Sequence, residues 1–214
     1  MIVSRAMTKN PVYVHPETSV TEARSLMDKA NVSHLPVLDK NNILAGIVTR
    51  EDLIKASPSE ATTLDVYEIG YLLTKMKVLD IMIKKVITVD ENEVVEEAAR
   101  IMADKDIGCL PVMKGSLLAG IITDTDLFHV FVNAFGARHS GVRVTLNMGE
   151  HPGQLAKLSG AIAEKGGNII SLVTAEGDDL TNRLVTIKVE NLSKSEMEII
   201  VRNIPDVTLE DIRE

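Results

Sequence analysis

Tryptophan is absent from this 214-residue chain, and tyrosine and phenylalanine occur only three times each. Any core must therefore be aliphatic, with nine methionines supplying flexible bulk for gaps that rings would otherwise fill. A single cysteine, Cys109, excludes an internal disulfide and a cysteine-rich zinc site. No apolar run approaches the roughly 18 residues that cross a bilayer, and residues 1–11 lack the apolar stretch of a signal peptide. The expectation is a cytoplasmic chain without a membrane partner. Cations are in deficit too: 23 Lys and Arg against 31 Asp and Glu leave a net charge of −8. The basic residues are scattered, whereas phosphate backbones demand a concentrated basic face, so nucleic acid is not expected as a partner. A local pocket for one nucleotide remains compatible with this balance. The histidines (His15, His34, His129, His139, His151) lack the short paired spacing of a metal site, and there is no P-loop or nucleophile motif. No metal is expected.

What is present is a duplication. Shifted by 75 residues, segment 3–37 lies over 78–112 with 11 identities in 35 positions; shifted by 74, segment 44–53 matches 118–127 at 7 of 10. Each copy reads β-α-β-β-α. A short extended piece (11–14; 86–89) leads to a helix capped near Thr18 and Ser19 or within 90–93. Val20, Ala23, Met27 and Ala30 mark the buried face of the first helix, and Val95, Ala98, Ala99 and Met102 that of the second. A strand (35–38; 110–113), a polar turn and a second strand (43–49; 117–123) follow. The second strands are continuously apolar, which predicts burial on both faces. A last helix starts at Arg50 or Asp124.

Between the copies, residues 56–77 open on the breaker Ser57-Pro58-Ser59, and Thr62 with Asp65 marks a helix start. Val66, Ile69, Tyr71, Leu72, Leu73 and Met76 make this linker helix apolar over more than one face, which predicts a covering partner such as a second subunit. Beyond Gly136 the pattern changes. Val142, Val144, Leu146 and Met148 alternate with polar residues as in a half-buried strand. Leu155, Leu158 and Ile162 stripe a helix that stops at Gly166-Gly167. Strands 168–175 and 183–190 follow, then a helix capped by Ser193 and Glu196, then a closing strand at 207–212. This is βαββαβ, a ferredoxin-like arrangement in an α+β protein.

The most informative pieces of the repeat are Gly46-Ile47-Val48-Thr49-Arg50-Glu51-Asp52 and Gly120-Ile121-Ile122-Thr123-Asp124-Thr125-Asp126. Thr-x-x-Asp is a capping box that stabilises a helix start by about 1 kcal/mol. The same geometry suits a nucleotide: free N–H groups and a positive helix end seat a phosphate, and a carboxylate can accept both hydroxyls of a ribose. The two readings are compatible.

The repeat, with Leu35-Pro36-Val37 and Leu110-Pro111-Val112 beside each Gly-x-x-Thr-x-x-Asp, resembles a tandem pair of CBS (cystathionine-β-synthase) domains, the Bateman module. Segment 151–169 resembles an ACT domain, and the order of the two is similar to that of the acetoin-utilisation regulatory proteins of the B type. The resemblance divides the chain into CBS repeat one (1–57), a linker helix (58–77), CBS repeat two (78–136) and an ACT domain (137–214). It implies a non-catalytic regulator that binds an adenosine nucleotide, AMP, ADP, ATP or S-adenosylmethionine, in clefts between the repeats. It also implies a homodimer, with an amino acid as a second effector.

In one implied cleft Asp126 and Thr123 work with Lys9, Asn10, Val12, Ser33 and His34. In the other, Asp52 and Thr49 work with Lys84, Ile87, Gly108 and Cys109. Arg50 and the turn prolines Pro36 and Pro111 complete the set. Asp would hold ribose, Thr and Lys the phosphates, and backbone beside Ser33 or Gly108 the adenine edge. Arg50 opposite Asp124 at matched positions makes the Arg50 cleft the better host for phosphate. In the ACT-like part Pro152, Gly153, Asn168 and Ile169 would line an effector site, Gly153 by permitting close backbone approach; as turns, His-Pro-Gly and Gly-Gly-Asn explain themselves equally. Cys109, in an apolar strand without a motif partner, reads as a buried structural thiol. Two other classes stay open: a scaffold with empty clefts, which predicts no nucleotide binding, and a nucleotide hydrolase using Asp52 or Asp126, which predicts turnover.

Overall fold

The computed structural model describes residues 1–56 and 75–214. The expected linker helix, with its start at Thr62 and Asp65, lies outside them apart from residues 75–77, of which Met76 packs on the core of repeat one. The chain splits into two units, Met1–Leu127 and Phe128–Glu214.

In the first unit, repeat one holds α1 (Val3–Ala6), β1 (Thr8–Lys9), α2 (Val20–Ala30), β2 (His34–Leu38), β3 (Leu44–Thr49) and α3 (Arg50–Lys55). Repeat two holds α4 (Val78–Ile81), β4 (Val89–Asp90), α5 (Val95–Lys105), β5 (Cys109–Lys114), β6 (Leu117–Thr123) and α6 (Asp124–Ala134). The boundary between the units falls inside α6. Helix α2 buries Val20, Ala23 and Met27, and α5 buries Val95, Ala98 and Met102, at the spacing the sequence sets. Their starts differ. Ser19 caps α2 in a reciprocal box with Glu22, whereas Val94, the residue before α5, makes no side-chain cap bond. The expected polar cap within 90–93 is therefore not formed.

Burial of β3 and β6 on both faces also needs correction. Only their C-terminal halves are buried, and Ile43 and Leu117, at the entry to each strand, are exposed and bridge one another. Both strands belong to antiparallel hairpins, β2 with β3 and β5 with β6, which need no cover on both faces.

The short helices α1 and α4 and the strand β1 were not expected, and they determine how the repeats join. The start of each copy crosses to the other. Val3 N–H donates to Glu93 O, Val95 N–H donates to Met1 O, and β1 pairs antiparallel with β6 of repeat two. Reciprocally, Val78 N–H donates to Thr18 O and Ile83 bridges Ile47 of repeat one. The extended pieces expected at 11–14 and 86–89 stay at home, as Val14 and β4 run parallel to β2 and β5 of their own copies. The crossing explains two glycines. A Cβ on Gly120 would stand 2.8 Å from Thr8 O and closer still to Met7 Sδ, and one on Gly46 would stand 2.7 Å from Met82 Sδ and 3.0 Å from Ile83 O. Ile47, Ile121 and Cys109 close the core between the copies.

The second unit is β7 (Val142–Gly149), α7 (Gln154–Glu164), β8 (Asn168–Glu176), β9 (Asn182–Glu190), α8 (Lys194–Arg202) and β10 (Val207–Arg213). Its antiparallel sheet has the order β10-β7-β9-β8, the ferredoxin-like arrangement. Val142, Val144, Leu146 and Met148 face the core as their alternation requires, against Leu158, Ile162, Met197 and Ile200. The buried row of α7 is Gln154, Leu158 and Ile162, so Leu155 is not part of it; it is 40% exposed. Gly166 follows α7 at φ +79, as a helix stop there needs.

Candidate functional site: paired clefts between the repeats

Each hairpin delivers a threonine to the start of the next helix, and both Thr-x-x-Asp pieces form full capping boxes. Thr49 N–H and Oγ1–H both donate to Asp52 Oδ2 at 2.8 Å, and Asp52 N–H returns a bond to Thr49 Oγ1 at 3.2 Å. Thr123 and Asp126 repeat this at 2.8, 2.8 and 3.3 Å. The cap uses Oδ2 alone, and Oδ1 of each aspartate enters no side-chain bond among the described residues. It is available to hydroxyl donors. The carbonyls of Ser33 and Gly108 accept the first N–H groups of α3 and α6, from Arg50 and Asp124, which ties each hairpin to the cap beside it.

Two clefts follow from this arrangement, each walled by both repeats. The first, of about 490 Å³, places Thr49, Arg50 and Asp52 of repeat one against Ile87, Gly108, Cys109 and Pro111 of repeat two. Lys84 does not line it; Lys85 does, with Lys55, Glu51 and Asp106 as further charged groups. The second, of about 720 Å³, places Thr123 and Asp126 against Asn10, Val12, Ser33 and His34. Lys9 and Pro36 are not among its walls, and Thr8, Asn31 and Asp124 are. Lys9 is on the strand β1, where facing depends on a register that neighbouring residues in the sequence do not reveal; Lys84 and Lys85 lie outside any strand.

Ser33 and His34 line both clefts. His34 Nε2 and Asp124 Oδ2 stand 3.7 and 3.4 Å from the position a Cβ on Gly108 would take. Burial holds the His34 imidazole below its ordinary value, against the opposing pull of Asp124 and Asp52. Cys109 is buried, and that burial, with Asp124 adding to it, pushes its thiol up to about 12, so it is a thiol rather than a thiolate at neutral pH. Arg50 donates to Asp28 Oδ1 at 2.6 Å and to Val32 O at 3.1 Å. Lys85 takes part in no ion pair among the described residues. Among those residues, no cluster of three or more His, Cys, Asp and Glu is arranged for a metal, and no helix is long and apolar enough to cross a membrane.

In the second unit a cavity of about 600 Å³ lies at the start of α7, with Pro152, Gly153, Gln154, Thr174 and Arg183 in its walls. Asn168 and Ile169 are not there. Asn168 begins β8 opposite Glu190, to which its amide donates at 2.6 Å. Gly153 has open space around it but sits at φ +90 as the residue before α7, so its requirement is the left-handed backbone rather than close approach. Arg183 donates to Glu150 and, at 3.5 Å, to Thr174 Oγ1.

Comparison with known proteins agrees with this architecture. The CBS domain family matches residues 3–59 and 78–133, and the TTHA0829-like ACT domain matches 140–204. The chain belongs to the CBS-domain family and carries an ACT domain behind the pair. Within that family it is 30% identical over 131 residues to the L-aspartate semialdehyde sulfurtransferase of Methanocaldococcus jannaschii, covering 61% of this chain and 23% of that enzyme. The chain thus spans between about a quarter and just over a third of the length of the curated relatives it matches.

Two solved structures are similar to it. The CBS domain pair of protein MJ0100, in complex with 5′-methylthioadenosine and S-adenosyl-L-methionine, is 28% identical with a TM-score of 0.52, covering 65% of this chain and 98% of that one. A putative acetoin utilization protein (AcuB) from Vibrio cholerae is 29% identical with a TM-score of 0.54, covering 64% and 95%.

Proposed function

We propose that this chain is a regulatory sensor of adenosine compounds, binding them in the two clefts of its CBS pair. One observation carries the reading: each cleft is walled by both repeats and holds a threonine–aspartate pair whose Oδ1 has no side-chain bond among the described residues. A relative of the same fold is solved with 5′-methylthioadenosine and S-adenosyl-L-methionine, which supports the ligand class. Asp52 and Asp126 would accept the ribose hydroxyls through Oδ1 while Oδ2 keeps the helix start in place. Because each cleft joins both copies, a ligand favours the arrangement in which those walls meet, and that differential affinity is what shifts a conformational equilibrium. The chain acts by binding rather than catalysis; Cys109, the one thiol, is held protonated.

The ACT domain would take an amino acid in the cavity at the start of α7, where Arg183 and the N-terminus of an 11-residue helix suit a carboxylate. A homodimer working in the cytoplasm completes the reading. Acetoin utilisation is the process favoured by likeness to AcuB of Vibrio cholerae. The test is thermal unfolding against adenine and guanine nucleotides, 5′-methylthioadenosine, S-adenosylmethionine and amino acids. A ligand at 100 times its Kd adds about 2.7 kcal/mol, several degrees for a domain of this size. The shift should vanish when Asp52→Ala and Asp126→Ala are combined. No shift with any adenosine compound would leave a scaffold instead.

A further inference from the structure

The two clefts are related by the duplication, so each position in one has a counterpart in the other, and their charges can be compared position by position. The first cleft is lined by Arg50, Lys55 and Lys85, balanced by Glu51, Asp52 and Asp106. In sequence the matched residues are Asp124 for Arg50, Asn10 for Lys85 and His129 for Lys55; of these, Asp124 and Asn10 line the second cleft. Every cation of the first cleft is replaced, one of them by a carboxylate. The second cleft accordingly has Asp124 and Asp126 in its walls and no lysine or arginine among its described lining residues. Lys9, between the lining residues Thr8 and Asn10, is on β1 beside Gly120 and does not line it, nor does Lys29 beside Ala30. His34 supplies no compensating charge at neutral pH, since burial favours its neutral form. The rest of the lining is uncharged, in part polar, as at Thr8, Asn10 and Thr125, and in part apolar, as at Val12, Val32 and Ile121.

Resting on the adenosine reading above, we propose that the clefts divide adenosine compounds by the charge of the 5′ substituent. The Arg50 cleft takes the phosphorylated nucleotide. The Asp124 cleft takes adenosine whose 5′ group is uncharged or cationic, such as a thioether or sulfonium. A 5′-phosphate in the second cleft would bring two negative charges into a pocket that holds two carboxylates and no cation, and partly buried like charges repel far more than exposed ones. A sulfonium there meets only favourable partners. In the first cleft, Lys85 is unpaired among the described residues and Arg50 is held by the exposed Asp28, a partner a phosphate can displace at little cost.

Calorimetric titration of the full chain with AMP, adenosine, 5′-methylthioadenosine and S-adenosylmethionine tests this. In an Asp52→Ala chain, where the Arg50 cleft lacks its ribose acceptor, the remaining site is expected to bind methylthioadenosine at least tenfold more tightly than AMP. The reciprocal Asp126→Ala chain should lose that preference. Adding Asp124→Arg to Asp52→Ala should tighten AMP by tenfold or more and weaken S-adenosylmethionine. Asp124→Asn should move both in the same directions by less, without a new cation to accommodate. Equal affinities for AMP and methylthioadenosine in the Asp52→Ala chain, or a preference that neither Asp124 substitution alters, overturn the division of ligands. Failure of adenosine and all its derivatives to bind the unmodified chain overturns the adenosine reading itself, and the division with it.

Discussion

Repeats one and two fold alike and cap their last helices alike, yet they start their long helices differently and present different charges to their clefts. The shared part is what a duplicated hydrophobic spine enforces. Val3, Met27, Leu35 and Val37 are buried with their counterparts Val78, Met102, Leu110 and Val112, since a core position tolerates little change in volume. The parts that differ are the helix starts, where Ser19 is buried and Val94 is exposed, and the cleft residues at 50 and 124. In the clefts a substitution can change ligand preference while the core stays packed. Packing has held the frame while the cleft positions diverged.

That comparison can be broken most severely in the spine. Met27→Ala and Met102→Ala should each cost about 2–5 kcal/mol, measured by urea unfolding, and the two costs should be similar if the copies are equivalent frames. Next are the crossing glycines. Gly120→Ala should cost about 1–3 kcal/mol through overpacking, because its Cβ meets the Thr8 carbonyl at 2.8 Å as well as Met7. Gly46→Ala, facing Met82 and a carbonyl at 3.0 Å, should cost less within that range. The helix starts give a smaller, opposed pair. Ser19→Ala should lose about 1 kcal/mol, and Val94→Ser should gain a comparable amount if the new hydroxyl reaches the N–H of Glu97.

The smallest effect is the dependence on pH at His34. Its folded value lies below the ordinary one, so the unfolded chain binds the proton more readily. The contribution is complete above the ordinary histidine value of about 6.5 and is lost as pH falls from there towards the folded value. Asp124 and Asp52 pull the other way and narrow that window. His34→Gln should flatten the slope of unfolding free energy against pH between about 5 and 7, with little change at pH 8.

Much of this was legible in the chain. The duplication was legible from a shift of 75 residues, and the aspartates' place at the clefts from the CBS resemblance. The buried stripes of α2 and α5, the Thr-x-x-Asp caps and the βαββαβ order follow from local periodicity and hydrogen-bond chemistry. Those signals act within a few residues. The missing cap at Val94 shows the limit even there, because polar residues at 90–93 stood one position too early to serve. Leu155 fits a helical stripe by spacing, yet the row that packs begins at Gln154, and only the position of the sheet selects between them. The matched pair Met7 and Met82, with the matched Gly46 and Gly120, was the available signal for the crossing of the copies. It read as mere identity because neither glycine lies near its methionine in sequence.

Sequence by itself determined the repeated frame and the Thr-x-x-Asp helix starts, since these depend on which residues lie one helical turn or one strand residue apart. Tertiary structure alone decided that each copy begins on its partner copy, that Lys85 rather than Lys84 lines a cleft, that Lys9 lines neither, and that Ser33 and His34 line both. For Lys9 the physical reason is that the facing of a side chain on a strand alternates with every residue, whereas Lys84 and Lys85 lie outside any strand. Which face becomes a wall is fixed by pairing with strands more than a hundred residues away, as β1 pairs with β6.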